Sequence, residues 1–254
     1  MKITFLGTGN AFAPRREWGC ILVNDTILLD AGPSLLVNLK RKQVNPTGIR
    51  HLFITHFHGD HIFGLPFLLL EYAFLSPCSL PLTIIGPRGI AQYIEALMRL
   101  AYPNLAQNAG ARPLRFVEAQ DNITDTADGV TFTPVAVAHG SEEFQAFGYR
   151  LALPEGIIAY SGDTSLCEAL NTLTQDARVS ILEATSEDAS SIHLGREALR
   201  TILAATPTDC LTFLNHLDTP GADPWGTFDV IVPEDLQSFE LAFANGERPR
   251  ARLL

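Results

Sequence analysis

Cysteine is scarce in this chain and widely dispersed. The four cysteines, Cys20, Cys78, Cys167 and Cys210, form no Cys-X-X-Cys pair. Their spacing fits neither a disulfide framework nor a thiolate zinc site. We therefore expect reduced thiols and a cytoplasmic protein.

Long hydrophobic runs are also missing. The most apolar stretch, IFGLPFLLLEYAFL from Ile62, is shorter than the roughly 20 residues that a membrane-spanning helix needs, and it contains Pro66 and Glu71. The N-terminal MKITFLGTGNAFA has glycines where a signal peptide has its apolar centre. We expect no membrane segment, and a strand that enters a turn at the N-terminus.

Positive charge is in deficit: 18 lysines and arginines face 28 aspartates and glutamates, a net charge of −10 at pH 7. Affinity for duplex nucleic acid comes mostly from cations that neutralise phosphates, so this balance disfavours nonspecific nucleic-acid binding. A polyanionic substrate must then be attracted locally, by bound divalent metals or by a small basic patch. Candidates for that patch are Arg15, Arg16, Arg88 and Arg115. Lone arginines, however, are more often solvated surface residues.

Short apolar or β-branched runs bounded by turn-forming residues predict the strands KITFL, CILV, TILLD, HLFIT, LTII, LRFV, VTFTPVAV, FGYRLAL, GIIAY, VSILE and CLTFLN. Helical periodicity predicts helices over residues 34–42, 66–75, 87–101, 165–173, 195–205 and 234–244. The C-terminal NGERPRARLL is expected to be a loosely held tail. This order of elements favours two mixed sheets packed face to face with helices outside. Without a linker or repeat, residues 1–254 are expected to form one domain.

The stretch THFHGDH, residues 55–61, contains three of the seven histidines in the chain. His56 and His58 are two residues apart at the end of the predicted strand HLFIT, so both imidazoles share a face if the strand persists. Gly59 lets the chain turn, after which Asp60 and His61 offer two further ligands. Imidazole nitrogens and carboxylate oxygens are ligands that zinc and similar metals accept.

Three more ligand-type residues follow other predicted strands, namely His139, Asp163 and His216. A single histidine at a strand end is more often a surface or hydrogen-bonded residue. Seven such residues are hard to explain as packing, because buried polar groups without partners cost about 1–3 kcal/mol each. The sequence therefore predicts a metal site. His51 begins its strand without comparable partners and is expected to be structural.

The sequence resembles the metallo-β-lactamase-fold hydrolases and, among them, the ribonuclease Z-like branch. The matching stretches are ITFLGTGNAF, ILLDAG, THFHGDHIFGLPFLL, PLTIIGPRGI, VAHGSEEFQAFGYRL, YSGDT, HLGREAL and LNHL. The resemblance implies an α/β fold, a four-layer αββα sandwich of two mixed β-sheets, with two divalent metal ions at one sheet edge. It assigns His56, His58 and His139 to one ion and Asp60, His61 and His216 to the other. Asp163 would bridge the two ions. Zinc is the expected metal, and manganese and iron suit the same ligands.

Two divalent cations about 3.5–4 Å apart can share a hydroxide and clamp the oxygens of an in-line displacement. This predicts a hydrolase, and a phosphodiester suits it best, with the bridging hydroxide as nucleophile. The predicted catalytic residues are Asp60, which is also a ligand, His193 and Glu183. His193 lies where the ribonuclease Z-like branch has a catalytic histidine that is not a ligand, and it would protonate the leaving group.

Each supporting residue also has a structural alternative. Glu183 could orient His193 or pair with a nearby cation, and His193 could cap or pack the start of the next helix. Asp30 could hydrogen-bond to a ligand histidine or only form a turn. Thr164 could support the bridging aspartate or cap a helix.

The chain departs from the ribonuclease Z-like branch at several points. Only 23 residues separate His139 from Asp163, and GYRLALPEGIIAY predicts an ordinary hairpin, so the arm that grips tRNA is absent. PRREW lacks the asparagine that follows arginine in the branch, NHLDT lacks its Ser-Arg-Tyr, and SILEA lacks the histidine before the glutamate. With the acidic charge, these differences favour a small or single-stranded phosphodiester over a tRNA precursor. The resemblance also implies a homodimer.

Two other classes of function are compatible with the same residues. The metals could hydrolyse a carboxylic ester, a lactone or an aryl sulfate ester. The chain could also be a non-hydrolytic metal-binding or redox protein. The redox diiron relatives replace a motif histidine with glutamate and add a flavin domain, and neither feature occurs here. A binding module that had lost its activity would be expected to have lost ligands.

Overall fold

The strands and helices were assigned in a computed structural model that describes residues 1–104, 112–141, 144–185, 190–218, 228–244 and 246–254. The strands are β1 (Lys2–Gly7), β2 (Cys20–Val23), β3 (Ile27–Leu29), β4 (His51–Phe53), β5 (Leu82–Gly86), β6 (Leu114–Glu118), β7 (Asp125–Ala127), β8 (Val130–Ala136), β9 (Phe147–Leu153), β10 (Gly156–Tyr160), β11 (Ala177–Glu183), β12 (Leu211–Asn215), β13 (Val230–Ile231), β14 (Ser238–Ala242) and β15 (Arg250–Leu253). The helices are α1 (Leu35–Arg41), α2 (Gly59–Ile62), α3 (Leu65–Phe74), α4 (Ile90–Ala101), α5 (Ala169–Thr174) and α6 (Arg196–Ala205).

Two mixed sheets are formed by the described residues. The first has the strand order β15-β14-β1-β2-β3-β4-β5-β6 and the second the order β13-β12-β11-β10-β9-β8-β7. In the first sheet β3 to β6 are parallel to one another, whereas the pairings from β15 through β14, β1 and β2 to β3 are antiparallel. In the second sheet β10 to β13 are parallel, and β7 to β10 are antiparallel.

The two sheets pack face to face through an aromatic core. Phe5 of the first sheet lies 5.1 Å from Phe213 of the second, measured between ring centroids, and Phe53 lies 5.3 Å from Phe132. Side chains alternate along each strand, so in β1 Phe5 faces this core while Leu6 faces the helices. Helices α1, α3 and α4 cover the outer face of the first sheet, and α5 and α6 cover the second. The predicted αββα sandwich is confirmed.

Most predicted strands agree with the structure, and β2, β9 and β10 agree to the residue. The helix predicted over residues 234–244 is wrong, because this segment contains β14. Phe239 and Leu241 alternate with exposed Glu240, which is the period of a half-buried strand. The expected C-terminal tail is also wrong, since β15 pairs antiparallel with β14.

The segment that carries the histidine motif also differs from its prediction. Strand β4 ends at Phe53, so His56 and His58 lie in the loop that follows rather than on an extended strand. The helix predicted from residue 165 begins at Ala169. Among the described residues, no helix has the length and apolarity that crossing a membrane requires.

Candidate metal centre

The ligand-type residues all lie just beyond the C-terminal ends of strands, at one edge of the sandwich. Asp60 and His61 belong to the single turn of α2, which follows the loop after β4. The other five follow β4, β8, β10 and β12 and are His56, His58, His139, Asp163 and His216. Strands β8, β10 and β12 run in the same direction within the second sheet, so their C-terminal ends lie at one edge, which is why residues far apart in sequence meet here.

Three imidazoles form the first group. Nε2 of His56 lies 3.0 Å from Nδ1 of His58, and Nε2 of His139 lies 3.1 Å from the same nitrogen. One potential ligand atom from each residue lies within 4.8 Å of the others. Such an array of imidazoles is a donor set for zinc and related metals.

Two carboxylates and two imidazoles form the second group: Asp60, His61, Asp163 and His216. Oδ2 of Asp60 lies 3.4 Å from Nε2 of His61 and 3.3 Å from Nε2 of His216. Asp163 contacts the same two rings, each at 3.4 Å.

Asp163 lies between the two groups. Its Oδ2 atom is 4.0 Å from Nε2 of His56 and 3.9 Å from Nε2 of His139, while its Oδ1 atom faces His216. The seven residues that the sequence singled out therefore form one cluster, with a carboxylate at its centre.

Nε2 of His61 and Oδ1 of Asp163 are buried and have neighbours at 3.4 Å, but neither atom forms a hydrogen bond with any described residue. A buried polar atom without a partner costs about 1–3 kcal/mol. Both atoms point into the group of nitrogen and oxygen donors, where divalent cations would satisfy them. The residues present therefore fit a metal centre.

The protonation states agree with this fit. Burial lowers the pKa of His58 and His139 and lowers that of His56 well below its ordinary value, so these imidazoles are neutral at pH 7 with a lone pair to donate. Burial alone would raise the pKa of Asp163, but His216 and His61 outweigh it and hold that pKa well below the usual range. The carboxylate is ionised and attracts cations.

Each buried ligand-type histidine is held through its second ring nitrogen. Nδ1 of His56 is 2.9 Å from Oγ1 of Thr55, and Nδ1 of His139 is 2.7 Å from the carbonyl oxygen of Ile192. Nδ1 of His216 is 2.7 Å from Oγ1 of Thr185. Such partners fix the tautomer and the direction of a ligand imidazole. No local sequence pattern marks these partners.

Asp30 holds His61 in the same way and is fully buried. Its Oδ2 accepts hydrogen bonds from Nδ1 of His61 at 2.9 Å and from the hydroxyl of Tyr160 at 2.7 Å, and its Oδ1 accepts one from the N–H of Thr55 at 2.8 Å. Of the two roles considered for Asp30, the structure shows contact with a ligand-type histidine. Asp30 also has a φ of +59°, in the left-handed region, which agrees with the second role, that of a turn residue.

We expect Asp30→Asn to weaken both the fold and metal binding. Every partner of this carboxylate is a donor, so an amide NH2 would face the Tyr160 hydroxyl and Nδ1 of His61. If Nδ1 of His61 accepts a hydrogen bond from this amide, the ring proton must move to Nε2, the atom that faces the cluster. We expect the free energy of unfolding to fall by about 2–4 kcal/mol and metal affinity to fall about 10–100-fold.

Urea denaturation and titration with a zinc chelator measure these two effects. Asp25→Asn is the matched control, because Asp25 also has a positive φ of +55° but pairs with Lys2 at the surface. We expect the control to change stability by less than about 0.5 kcal/mol. Equal behaviour of the two variants would contradict the role given to Asp30.

Glu183 and His193 form a pair beside the cluster. Oε1 of Glu183 is 3.2 Å from Nδ1 of His193 and accepts a hydrogen bond from the N–H of Thr164 at 2.5 Å. Burial alone would lower the pKa of His193, but Glu183 outweighs it and raises that pKa. Nδ1 of His193 lies 3.8 Å from Oδ2 of Asp163.

The contacts of His193, Thr164 and His51 bear on the structural alternatives considered for these residues. The N-cap of α6 is Gly195, and the described contacts of the His193 ring are with Glu183, Asp163, His139 and His216 rather than with the helix. Thr164 supports Glu183 through its backbone, and α5 begins further on, after Glu168. His51 lies apart from the cluster, with Nε2 at 2.9 Å from the carbonyl oxygen of Ala127.

Comparison with known proteins agrees with this architecture. The sequence matches the family model of a β-lactamase superfamily domain over residues 25–217. It is 35% identical over 162 residues to the ribonuclease Z of Staphylococcus carnosus (strain TM300), covering 61% of this chain and 50% of that protein. The chain thus spans about half the length of the curated relatives that it matches.

Two solved structures share the fold. Human tRNase Z, short form, superposes with a TM-score of 0.71 at 23% identity, over 94% of this chain and 99% of that one. The metallo-β-lactamase-fold protein YhfI from Bacillus subtilis superposes with a TM-score of 0.73 at 20% identity, over 93% and 98% of the two chains.

Proposed function

This chain belongs to the β-lactamase superfamily, and we propose that it is a metal-dependent phosphodiesterase related to ribonuclease Z, holding two divalent ions, zinc foremost. The observation that carries the proposal is the cluster of seven ligand-type residues with Asp163 at its centre, and the pair of Glu183 and His193 beside it. We assign His56, His58 and His139 to one ion. The residues assigned to the other are Asp60, His61 and His216, with Asp163 shared.

The side chains of the site have different roles in the proposed chemistry. When bound, the ions supply Lewis-acid activation of water and of the phosphoryl oxygens. Asp60 and Asp163 provide the negative charge that holds the cations, and Asp60 thereby belongs to the catalytic set. Glu183 faces Nδ1 of His193 and leaves Nε2 of that ring to protonate the departing oxygen.

The proposed substrate is a small or single-stranded phosphodiester. Strands β9 and β10 form a hairpin in which Leu153 pairs with Gly156, and this hairpin occupies most of the sequence between His139 and Asp163. The short connection and the net charge of −10 disfavour a tRNA precursor as the main substrate.

Turnover of a substrate panel tests this proposal. The panel contains bis(p-nitrophenyl) phosphate, short oligonucleotides, a precursor tRNA, a lactone and an aryl sulfate. We expect hydrolysis of the phosphodiesters, its loss with a chelator, and its recovery with zinc or manganese. Turnover of the lactone or the sulfate without phosphodiester hydrolysis would contradict the proposal.

We also propose a homodimer that packs through α3, in the cytoplasm, where the four free cysteines would stay reduced. Leu65, Leu68 and Tyr72 bury one face of α3, yet the opposite face exposes 46% of Phe67 and 63% of Phe74. A helix that is apolar on all sides is normally buried, and a second copy of this helix would cover the exposed face.

We expect sedimentation velocity to show a dimer for the wild type and a monomer for the double variant Phe67→Glu, Phe74→Glu. Ile123→Glu is the control, because Ile123 is an exposed apolar residue just before β7 of the second sheet, whereas α3 covers the first sheet. A monomeric wild type would exclude this interface.

A further inference from the structure

A cavity of about 620 Å³ opens beside the metal centre. Its wall includes the ligand-type residue His139 and also Arg88, Phe144 and Gln145. A second depression of about 470 Å³ shares the last three residues and adds Phe57. The two spaces therefore meet at Arg88, Phe144 and Gln145. Each has the size of a typical small-ligand site.

Flat aromatic rings form part of these walls. Phe144 stacks on the imidazole of His58, with ring centroids 4.7 Å apart and an interplanar angle of 26°. Phe57 stacks on Tyr93 at 4.2 Å and 11°. The partner rings hold both phenylalanines in place. Fixed aromatic walls suit a planar group of the substrate, such as a nucleobase.

Arg88 is the one lysine or arginine among the described residues that line either space. Its backbone N–H donates to Oε1 of Gln145 at 3.0 Å, whereas its guanidinium makes no hydrogen bond or ion pair with any described residue. In a chain of net charge −10, an uncommitted arginine beside the metal centre stands out from the other arginines that form ion pairs, such as Arg41 and Arg115.

Among the described residues, two carboxylates also line the larger cavity, and each accepts a hydrogen bond from a backbone N–H. Glu118 accepts a hydrogen bond from the N–H of Gly89 at 2.8 Å, and Asp121 accepts one from the N–H of Ala136 at 2.7 Å. Arg88 remains the place on this wall where an anion can gain a charge-assisted hydrogen bond, and a guanidinium matches the geometry of a phosphate.

We propose that Arg88 binds a second phosphate of the substrate, next to the phosphodiester that is cleaved, so that nucleotide diesters with two or more phosphates are preferred to those with one. This inference rests on the proposed phosphodiesterase function. It assigns the aromatic walls to the nucleoside that joins the two phosphates.

Steady-state kinetics on three related probes tests the inference. The probes are the dinucleoside monophosphate of thymidine and its 5′-phosphorylated and 3′-phosphorylated forms. For the wild type we expect kcat/KM to be about 10–100-fold higher for one of the two phosphorylated forms. Arg88→Gln should reduce this ratio to within about twofold of one, and Arg88→Lys should retain part of it.

Arg99→Gln is the matched control, since Arg99 is an exposed arginine on α4 that pairs with Glu95 away from both spaces. We expect this variant to keep the wild-type ratio. A wild type without preference, or an Arg88→Gln variant that keeps it, overturns the role of Arg88 while hydrolysis of bis(p-nitrophenyl) phosphate leaves the proposed function standing. Failure to hydrolyse any phosphodiester overturns both.

Discussion

Replacing Asp163 with alanine is expected to lower phosphodiesterase activity by at least about 1000-fold and to leave the purified protein with less than one metal ion per chain. Asp163 lies between the two ligand groups, with oxygens 3.4–4.0 Å from ring nitrogens of His56, His61, His139 and His216. Under the proposed assignment, its loss removes a ligand from both ions at once. A deficit of about 4 kcal/mol in transition-state stabilisation already amounts to 1000-fold.

Asp163→Asn separates the charge from the shape of this side chain. The amide fills the same space but lacks the negative charge, so we expect metal loss similar to that of the alanine variant. Circular dichroism should show that both variants keep the β-sheet signal. An Asp163→Ala protein that retains two ions and full turnover would contradict the shared-ligand assignment.

Replacing His193 with alanine is expected to lower kcat on a dinucleotide by about 100–10,000-fold without changing the metal content. Its Nδ1 atom faces Glu183, and it lies outside the seven residues assigned to the ions. A proton donor matters most when the leaving group is a strongly basic alkoxide. With bis(p-nitrophenyl) phosphate, whose leaving group is stable as an anion, the loss should be less than about tenfold.

Two further variants test the same prediction. Glu183→Gln should give a smaller loss in the same leaving-group pattern, because Glu183 acts through His193. His51→Gln is the control, a histidine replacement far from the cluster that should leave kcat unchanged on both substrates. An equal loss on both substrates, or loss of metal from His193→Ala, would contradict the proton-donor role.

The sequence predicted which ligand-type residues lie together better than it predicted the local structure that presents them. Strands with strong periodicity and clear turns, such as β9 and β10, were predicted to the residue. The seven ligand-type residues could be found because each follows a strand. The reason given for His56 and His58 was wrong, however, since β4 ends at Phe53 and a loop presents both rings.

Other features depend on contacts between distant parts of the chain. The hydroxyl of Tyr160 reaches Asp30 across 130 positions of sequence, and Thr185 reaches His216 across 31. No local pattern marks such partners. Strands β14 and β15 were missed for a related reason: β15 exists through its pairing with β14, and the short period-2 pattern of β14 resembles a helical one when read alone.

Metal content is the most direct test of the central claim that seven side chains hold two cations. Wild-type protein should be purified, equilibrated with zinc and dialysed, and its metal measured by inductively coupled plasma mass spectrometry against protein concentration. We expect two ions per chain, with Asp163→Ala below one. Fewer than one ion per chain in the wild type would contradict the metal centre and the chemistry derived from it.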